Sequence, residues 1–353
     1  MNKIHFDCDY MAGAHPEILD AIISINHVQT AGYGCDNYCE TAKQRIREAC
    51  QAPDADIHFM VGGTQANSTV IDGLLRRTEG VIATETAHIN VHESGAIELS
   101  GHKVITLPSH DGKLDAGEVR QYLHDFYADD TWPHMVAPGA VYISYPTELG
   151  TIYSRQELSD LSTVCREYSI PLYVDGARLG YGLAASNDVT LPDLAHLADI
   201  FYIGGTKMGA LFGEAVVCTK PHLLPRFFTL MKAHGSVLAK GKLLGVQFST
   251  FFNNNLYLRI GQHGVALAQR LRQSLESLGY QHFIDSPTNQ QFFILPNDII
   301  DKILPLATFE YWGPRGEQES KVRFVTSWET TDSDIEQLEQ IVGSKQEAVS
   351  SRQ

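Results

Sequence analysis

The sequence contains no long hydrophobic run: nothing in its 353 residues approaches the roughly 20 apolar residues of a membrane-spanning helix. Positive charge is also scarce. Against 42 aspartates and glutamates stand 27 lysines and arginines, a formal charge of -15 that repels a nucleic-acid backbone. The cysteines, Cys8, Cys35, Cys39, Cys50, Cys165 and Cys218, are scattered and form no CxxC pair. Free thiols in a reducing compartment are expected rather than a disulfide framework. The opening stretch Met1–Asp7 lacks the apolar centre of a signal peptide, so a cytoplasmic location is expected. Internal repeats and low-complexity tracts are lacking too.

What is present is the composition of an ordinary globular protein, 43% hydrophobic and 20% charged, long enough for two lobes. Between about residues 55 and 220, short apolar strands alternate with amphipathic helices. The strands read as His58–Val61, Val81–Thr84, Lys103–Leu107, Ala140–Tyr145, Leu172–Asp175, Ile200–Gly204 and Ala215–Cys218, with helices such as Gln65–Arg77, Ala116–Tyr127 and Gln156–Tyr168. This alternation predicts an α/β fold with a mostly parallel seven-stranded sheet covered on both faces. After Pro221 come two long helices, Leu238–Phe252 and Leu256–Leu278, then strands at Gln291–Leu295 and Lys321–Thr326. A final helix is expected from Asp332 to Val342, capped by Thr331-Asp332-Ser333-Asp334, with fraying from about Ser344. The expected organisation is a large domain over residues 21–250, a small α+β domain over 251–353, and an N-terminal segment, 1–20, packing with the small domain or a neighbour.

Two strand ends carry the chemistry. Pro171-Leu172-Tyr173-Val174-Asp175 ends on a carboxylate, and Asp199–Gly205 leads to Thr206-Lys207. Buried parallel strands of an open sheet deliver such groups to the edge where ligands bind. A lysine and a carboxylate brought together there suit pyridoxal 5'-phosphate (PLP). The lysine can attach to the cofactor's aldehyde, and the carboxylate can pair with its protonated pyridine nitrogen. The turn Gly62-Gly63-Thr64-Gln65 runs from a strand into a helix, where free N–H groups and the helix dipole can hold a phosphate over Gly63, Thr64 and Gln65. A plain strand–helix turn also uses glycine.

His88 follows the next strand and can stack on the pyridine ring or move a proton. The alternatives are a core histidine or a metal pair with His92, which would need a third ligand. The glycine turn and Lys207 together favour stacking, and no metal is expected. Asp175 can instead cap a helix or pair with Arg178; in the functional reading Arg178 is free to fork onto a substrate carboxylate. Arg323, in Lys321–Thr326, is a second such candidate, against the plainer reading of a solvent-facing charge.

With these strings in hand the chain resembles the threonine aldolase family, fold-type I PLP-dependent enzymes of the β-eliminating lyase group. The likeness runs from Asp7 to about Ile341. Its motifs are Cys8-Asp9-Tyr10, Gly32-Tyr33-Gly34, Gly63-Thr64-Gln65-Ala66-Asn67, Ala87-His88 with Glu93, Val174-Asp175-Gly176-Ala177-Arg178, Thr206-Lys207 and Val322-Arg323. The resemblance implies a fold-type I PLP-dependent transferase-like fold. It also implies Lys207 as the cofactor-binding lysine, Asp175 as pyridine partner and His88 as the stacking histidine. Gly63 and Thr64 match its phosphate turn, and Arg178 and Arg323 its carboxylate-binding arginines. Tyr33 resembles a tyrosine lent across a subunit interface, and Lys240 a lysine reaching phosphate from a neighbour, which implies a homo-oligomer with shared sites. Three positions depart from the pattern: Cys8 replaces a serine near the substrate carboxylate, Met208 replaces a glycine, and Glu148, in Ser144–Gly150, replaces a second histidine near the substrate hydroxyl.

The activity implied is cleavage of a β-hydroxy-α-amino acid such as threonine or allo-threonine to glycine and an aldehyde, with His88 or Glu148 as base. The alternatives are another PLP-dependent reaction (β-elimination, racemisation or transamination) and a non-catalytic binding protein of this fold.

Overall fold

A computed structural model describes residues 3–186 and 188–343; the stretch from Ser344, expected to fray, lies outside the described residues. Seven strands form the central sheet: β1 (Asp56–Met60), β2 (Glu79–Thr84), β3 (Lys103–Leu107), β4 (Ala137–Ser144), β5 (Leu172–Asp175), β6 (Ile200–Gly204) and β7 (Glu214–Cys218). Their order across the sheet is β1-β7-β6-β5-β4-β2-β3. Only β7 runs against its neighbours, β1 and β6; the remaining pairings are parallel.

Both faces of this sheet are covered, and the two-residue period of a strand shows which side chain goes where. Ile82, Val141, Val174, Phe201 and Val217 belong to the core beneath the helices Asn37–Cys50, Arg155–Glu167 and Lys242–Phe251. Their chain neighbours Val81, Ala83, Ala140, Tyr142, Tyr173, Tyr202 and Val216 pack on the other side, against Ala66, Val70 and Ile71 of the helix Gly63–Leu74. Burial on both faces explains why these strands read as continuous apolar runs rather than alternating ones.

The small lobe holds a four-stranded antiparallel sheet in the order Glu310–Tyr311, Glu319–Val325, Gln290–Pro296, Gln281–Ile284. Leu271 and Leu275 of the helix Leu256–Ser277 and Ile335 and Leu338 of the helix Asp332–Gly343 close its core. That last helix starts as its sequence predicts: Thr331 and Asp334 cap each other reciprocally, N–H to side chain in both directions. Near the N-terminus, Ile4–His5 pairs with Ala307–Thr308, and Phe6 is buried in the small-lobe core.

One helix departs from expectation. The segment read as helical from Leu238 becomes helix only at Lys242. Residues 239–241 run instead against the loop 32–34: Ala239 accepts the Tyr33 N–H at 3.2 Å, and a Cβ on Gly241 would lie 2.4 Å from the Gly34 nitrogen.

Candidate active site

The parallel register Val174↔Phe201 brings the ends of β5 and β6 to one sheet edge, with Ser144 of β4 opposite Asp175. Glycine makes this convergence possible. A Cβ on Gly176 would stand 1.8 Å from the Tyr202 carbonyl oxygen, so the chain leaving β5 can press against β6 only without a side chain there. Lys207 then follows in the short turn Thr206–Met208. Asp175, Lys207, the Gly62–Thr64 turn, His88, Glu148 and Arg178 all line one cavity of about 340 Å³.

Asp175 forms the floor. Its Oδ1 accepts the Ala177 N–H at 2.9 Å, and its Oδ2 accepts from Asn67 Nδ2 at 2.9 Å and the Tyr142 hydroxyl at 2.7 Å. The pairing with Arg178 considered from sequence does not form. Asn67 is fixed in turn by the Tyr173 hydroxyl at 2.8 Å, and its amide also reaches Glu93 Oε1 at 2.7 Å. Glu93 holds His88 Nδ1 at 2.7 Å. A carboxylate at Nδ1 makes that nitrogen the donor, so Nε2 is the ring nitrogen left for the cavity. The His88–His92 pair, whose ring centroids lie 5.6 Å apart, finds no third ligand among the described residues. Among the described residues no group of three or more His, Cys, Asp or Glu could hold a metal.

Glu148 accepts the His88 backbone N–H at 2.9 Å and the Ser144 hydroxyl at 2.6 Å. Burial, and further the Asp175 charge, raise its pKa. Lys207 lies with Nζ 5.8 Å from the centre of the Tyr10 ring. Burial, and then the Arg178 charge, lower its pKa and favour the neutral, nucleophilic amine. Behind it Glu214, on β7, accepts the Gly205 N–H at 2.9 Å and the Thr206 hydroxyl at 2.7 Å, and so clamps the turn that carries Lys207. Burial pushes the Glu214 carboxyl up to about 8.

Arg178 is not free as its sequence context suggested. Asp9, buried at 2% exposure, takes its Nε at 2.7 Å and one Nη2 hydrogen at 3.0 Å, while Asn289 of the small lobe donates to the same Asp9 at 2.9 Å. Burial opposes charge on Asp9, but Arg178, Lys207 and the bonds from Arg178 and Asn289 hold its pKa below the usual carboxylate value. Arg323 is likewise buried rather than solvent-facing, at 8% exposure. Its guanidinium bonds Gln290 Oε1 at 2.9 Å, pairs with Glu310 and lies 5.2 Å from the Trp312 ring centre.

Not every residue singled out from sequence reaches this cavity. Gln65 turns its side chain to the Val61 N–H and the His234 carbonyl, so only its backbone remains for an anion. Cys8 and Arg323 stand outside the cavity walls, and Tyr33 and Lys240 lie exposed on the 32–34/239–241 edge. Tyr33 has φ +61°, a left-handed conformation that costs a non-glycine residue about 1–2 kcal/mol, with Lys232 Nζ 4.4 Å from its ring centre. Asn67, Glu93, Tyr142, Asp9 and Glu214 were not predicted as site residues, although the first two and Asp9 lie inside or beside the recognised strings.

These groups fit PLP. A buried carboxylate with a fixed donor on each oxygen, an amine on the same cavity, and a helix N-terminus opening on Gly62 and Gly63 are the three holds it requires. The family model described as beta-eliminating lyase matches residues 6–297. A threonine aldolase from Leishmania major superposes with a TM-score of 0.93 at 41% identity, covering 97% of this chain and 99% of that one. The low specificity L-threonine aldolase of a Pseudomonas species is 28% identical over 340 residues, 94% of this chain and 95% of its own. The aspartate aminotransferase of Thermus thermophilus, at TM-score 0.70 and 12% identity, shares the fold.

Proposed function

The chain belongs to the β-eliminating lyase family, and we propose that it is a PLP-dependent aldolase that splits a β-hydroxy-α-amino acid, threonine or allo-threonine, into glycine and an aldehyde. The observation that carries this reading is the convergence of Asp175, Lys207 and His88 on one cavity. When bound, PLP supplies an electron sink for the pair released as the Cα–Cβ bond breaks. Lys207 is the attachment point, Asp175 keeps the pyridine nitrogen protonated, and the backbone at Gly63, Thr64 and Gln65 takes the phosphate. The Nη1 side of Arg178 holds the substrate carboxylate, with Arg323 adding its charge from beside Arg178 and Cys8 nearby, and this sets which Cα bond is cleaved. The β-hydroxyl proton goes to His88 Nε2 or to Glu148.

Tyr33 and Lys240 belong to this function through a second copy. They are exposed in one chain, lie on one edge, and Tyr33 is kept in a costly backbone conformation. The working unit is a homo-oligomer with shared sites, in the cytoplasm; among the described residues no helix is long and apolar enough to cross a membrane. The test is product analysis of the PLP-loaded protein given L-threonine and L-allo-threonine. Glycine and acetaldehyde should appear in equal amounts. Ammonia and a keto acid without acetaldehyde would overturn the reading in favour of elimination.

A further inference from the structure

The hydrogen bonds around the cavity close into a ring, and its protons can be counted. The ring runs from Asp175 through Tyr142, Ser144, Glu148, His88, Glu93 and Asn67 back to Asp175. Asn67 commits one amide hydrogen to Glu93 and one to Asp175, and His88 commits its backbone N–H to Glu148 and its Nδ1–H to Glu93. If all three carboxyls are ionised, the Tyr142 hydroxyl proton must point to Asp175 and the Ser144 proton to Glu148. The 3.2 Å contact between the Tyr142 and Ser144 oxygens then has no hydrogen in it. One added proton repairs the line: Glu148 donates to Ser144, Ser144 to Tyr142, and Tyr142 to Asp175. A hydroxyl has one donor and can rotate, so the reversal requires no movement of heavy atoms.

The added proton could sit at either end of this line. Asp175 accepts a fixed amide N–H on each oxygen, from Ala177 and Asn67, besides the Tyr142 hydroxyl. On Glu148 the backbone donors, the His88 N–H and its own, are outweighed by burial. The ionisable groups that act on it or touch it are His88, Tyr142, Asp175 and Tyr153, with Tyr10, Glu93, Arg178, Lys207 and Glu214 on the same cavity. Its raised pKa, caused first by burial and further by Asp175, agrees with the proton count.

We propose that Glu148 is a neutral carboxylic acid in the resting enzyme, holding the proton at the end of the line Glu148–Ser144–Tyr142–Asp175. As an acid already bearing its proton, it is not the acceptor for the substrate's β-hydroxyl proton, and His88 Nε2 is left as the base. That consequence rests on the aldolase reading above; the protonation itself does not.

The test is infrared difference spectroscopy of the PLP-loaded protein at neutral pH, wild type minus Glu148→Gln. Subtraction cancels the other carboxyls, Glu214 with its raised pKa among them. A carbonyl band of a protonated carboxyl that is present in the wild type and lost in E148Q supports the proposal; identical spectra in this region overturn it. Tyr142→Phe is the second variant. It removes the acceptor for Ser144 and turns that hydroxyl back toward Glu148, so the Glu148 midpoint should fall by about one pH unit or more. An unchanged midpoint in Y142F counts against the line. Neither measurement reads turnover, so the protonation can fail while the aldolase reading stands, and the reverse.

Discussion

The cavity floor and the 32–34/239–241 edge make an instructive contrast, because the family resemblance pointed to both. On the floor each group is held by others of the same chain: Asp175 by Asn67, Tyr142 and the Ala177 N–H, His88 by Glu93, the Lys207 turn by Glu214. At the edge, Tyr33 and Lys240 are exposed; the Tyr33 N–H is held by the Ala239 carbonyl and its ring lies 4.4 Å from Lys232 Nζ. One chain thus builds a preorganised place for the cofactor, with its fixed dipoles already aimed. The edge is left exposed, which agrees with the proposal that its residues serve a second copy.

The contrast can be broken at its strong side first. Lys207→Ala should lower aldol cleavage by at least ~10³-fold, the scale on which loss of a covalent catalytic group registers, and should remove the visible absorbance of lysine-bound PLP. A variant that keeps that absorbance would contradict the assignment. Next comes Asp9→Ala, which strips a buried arginine of its carboxylate. Breaking a buried ion pair typically costs about 3–5 kcal/mol. Denaturant unfolding should show a loss of that order together with a raised KM, since Arg178 loses its orientation. An unchanged midpoint would show that Asp9 is dispensable to the junction between the lobes.

The Glu214 clamp gives a smaller, pH-dependent effect. Its folded pKa of about 8 lies above the ordinary value of 4.5, so the stability it contributes is full below the lower value and lost as pH rises through the higher one. Melting temperature should therefore decline across this window in the wild type and decline less in Glu214→Gln. Equal slopes would refute the raised carboxyl. The least costly change to the fold is at the edge: Tyr33→Phe should leave stability within about 0.5 kcal/mol, as exposed positions usually do, while lowering turnover.

How much of this was legible in the sequence follows from what spacing can carry. Lys103–Leu107, Leu172–Asp175 and Ile200–Gly204 have the bounds expected of them, because buried strands are marked by local apolar runs. Asp175 and Lys207 come together because strand ends are local facts too. Pairings between distant segments are not local. Asp9 lies 169 residues from Arg178, and nothing near either one announces the bond. The Cys8-Asp9-Tyr10 string drew attention to Cys8, while the structure puts Asp9 on the arginine and Tyr10 beside Lys207. Glu214 stands just before the strand expected at Ala215–Cys218; only its antiparallel register opposite Gly204 turns it toward the lysine turn. The helix expected from Leu238 failed for a similar reason, since its first residues are claimed by the loop at 32–34.

The central claim, that one chain supplies the floor and a second copy the edge, is tested most directly by mixing two crippled chains. Lys207→Ala lacks the floor's amine but keeps Tyr33, and Tyr33→Ala does the opposite. After the two are unfolded together at equal amounts and refolded with PLP, half of the dimers should be mixed, each with one intact site. About a quarter of wild-type aldol cleavage should return from a symmetric exchange of this kind. A mixture no more active than the average of the two variants alone would contradict it.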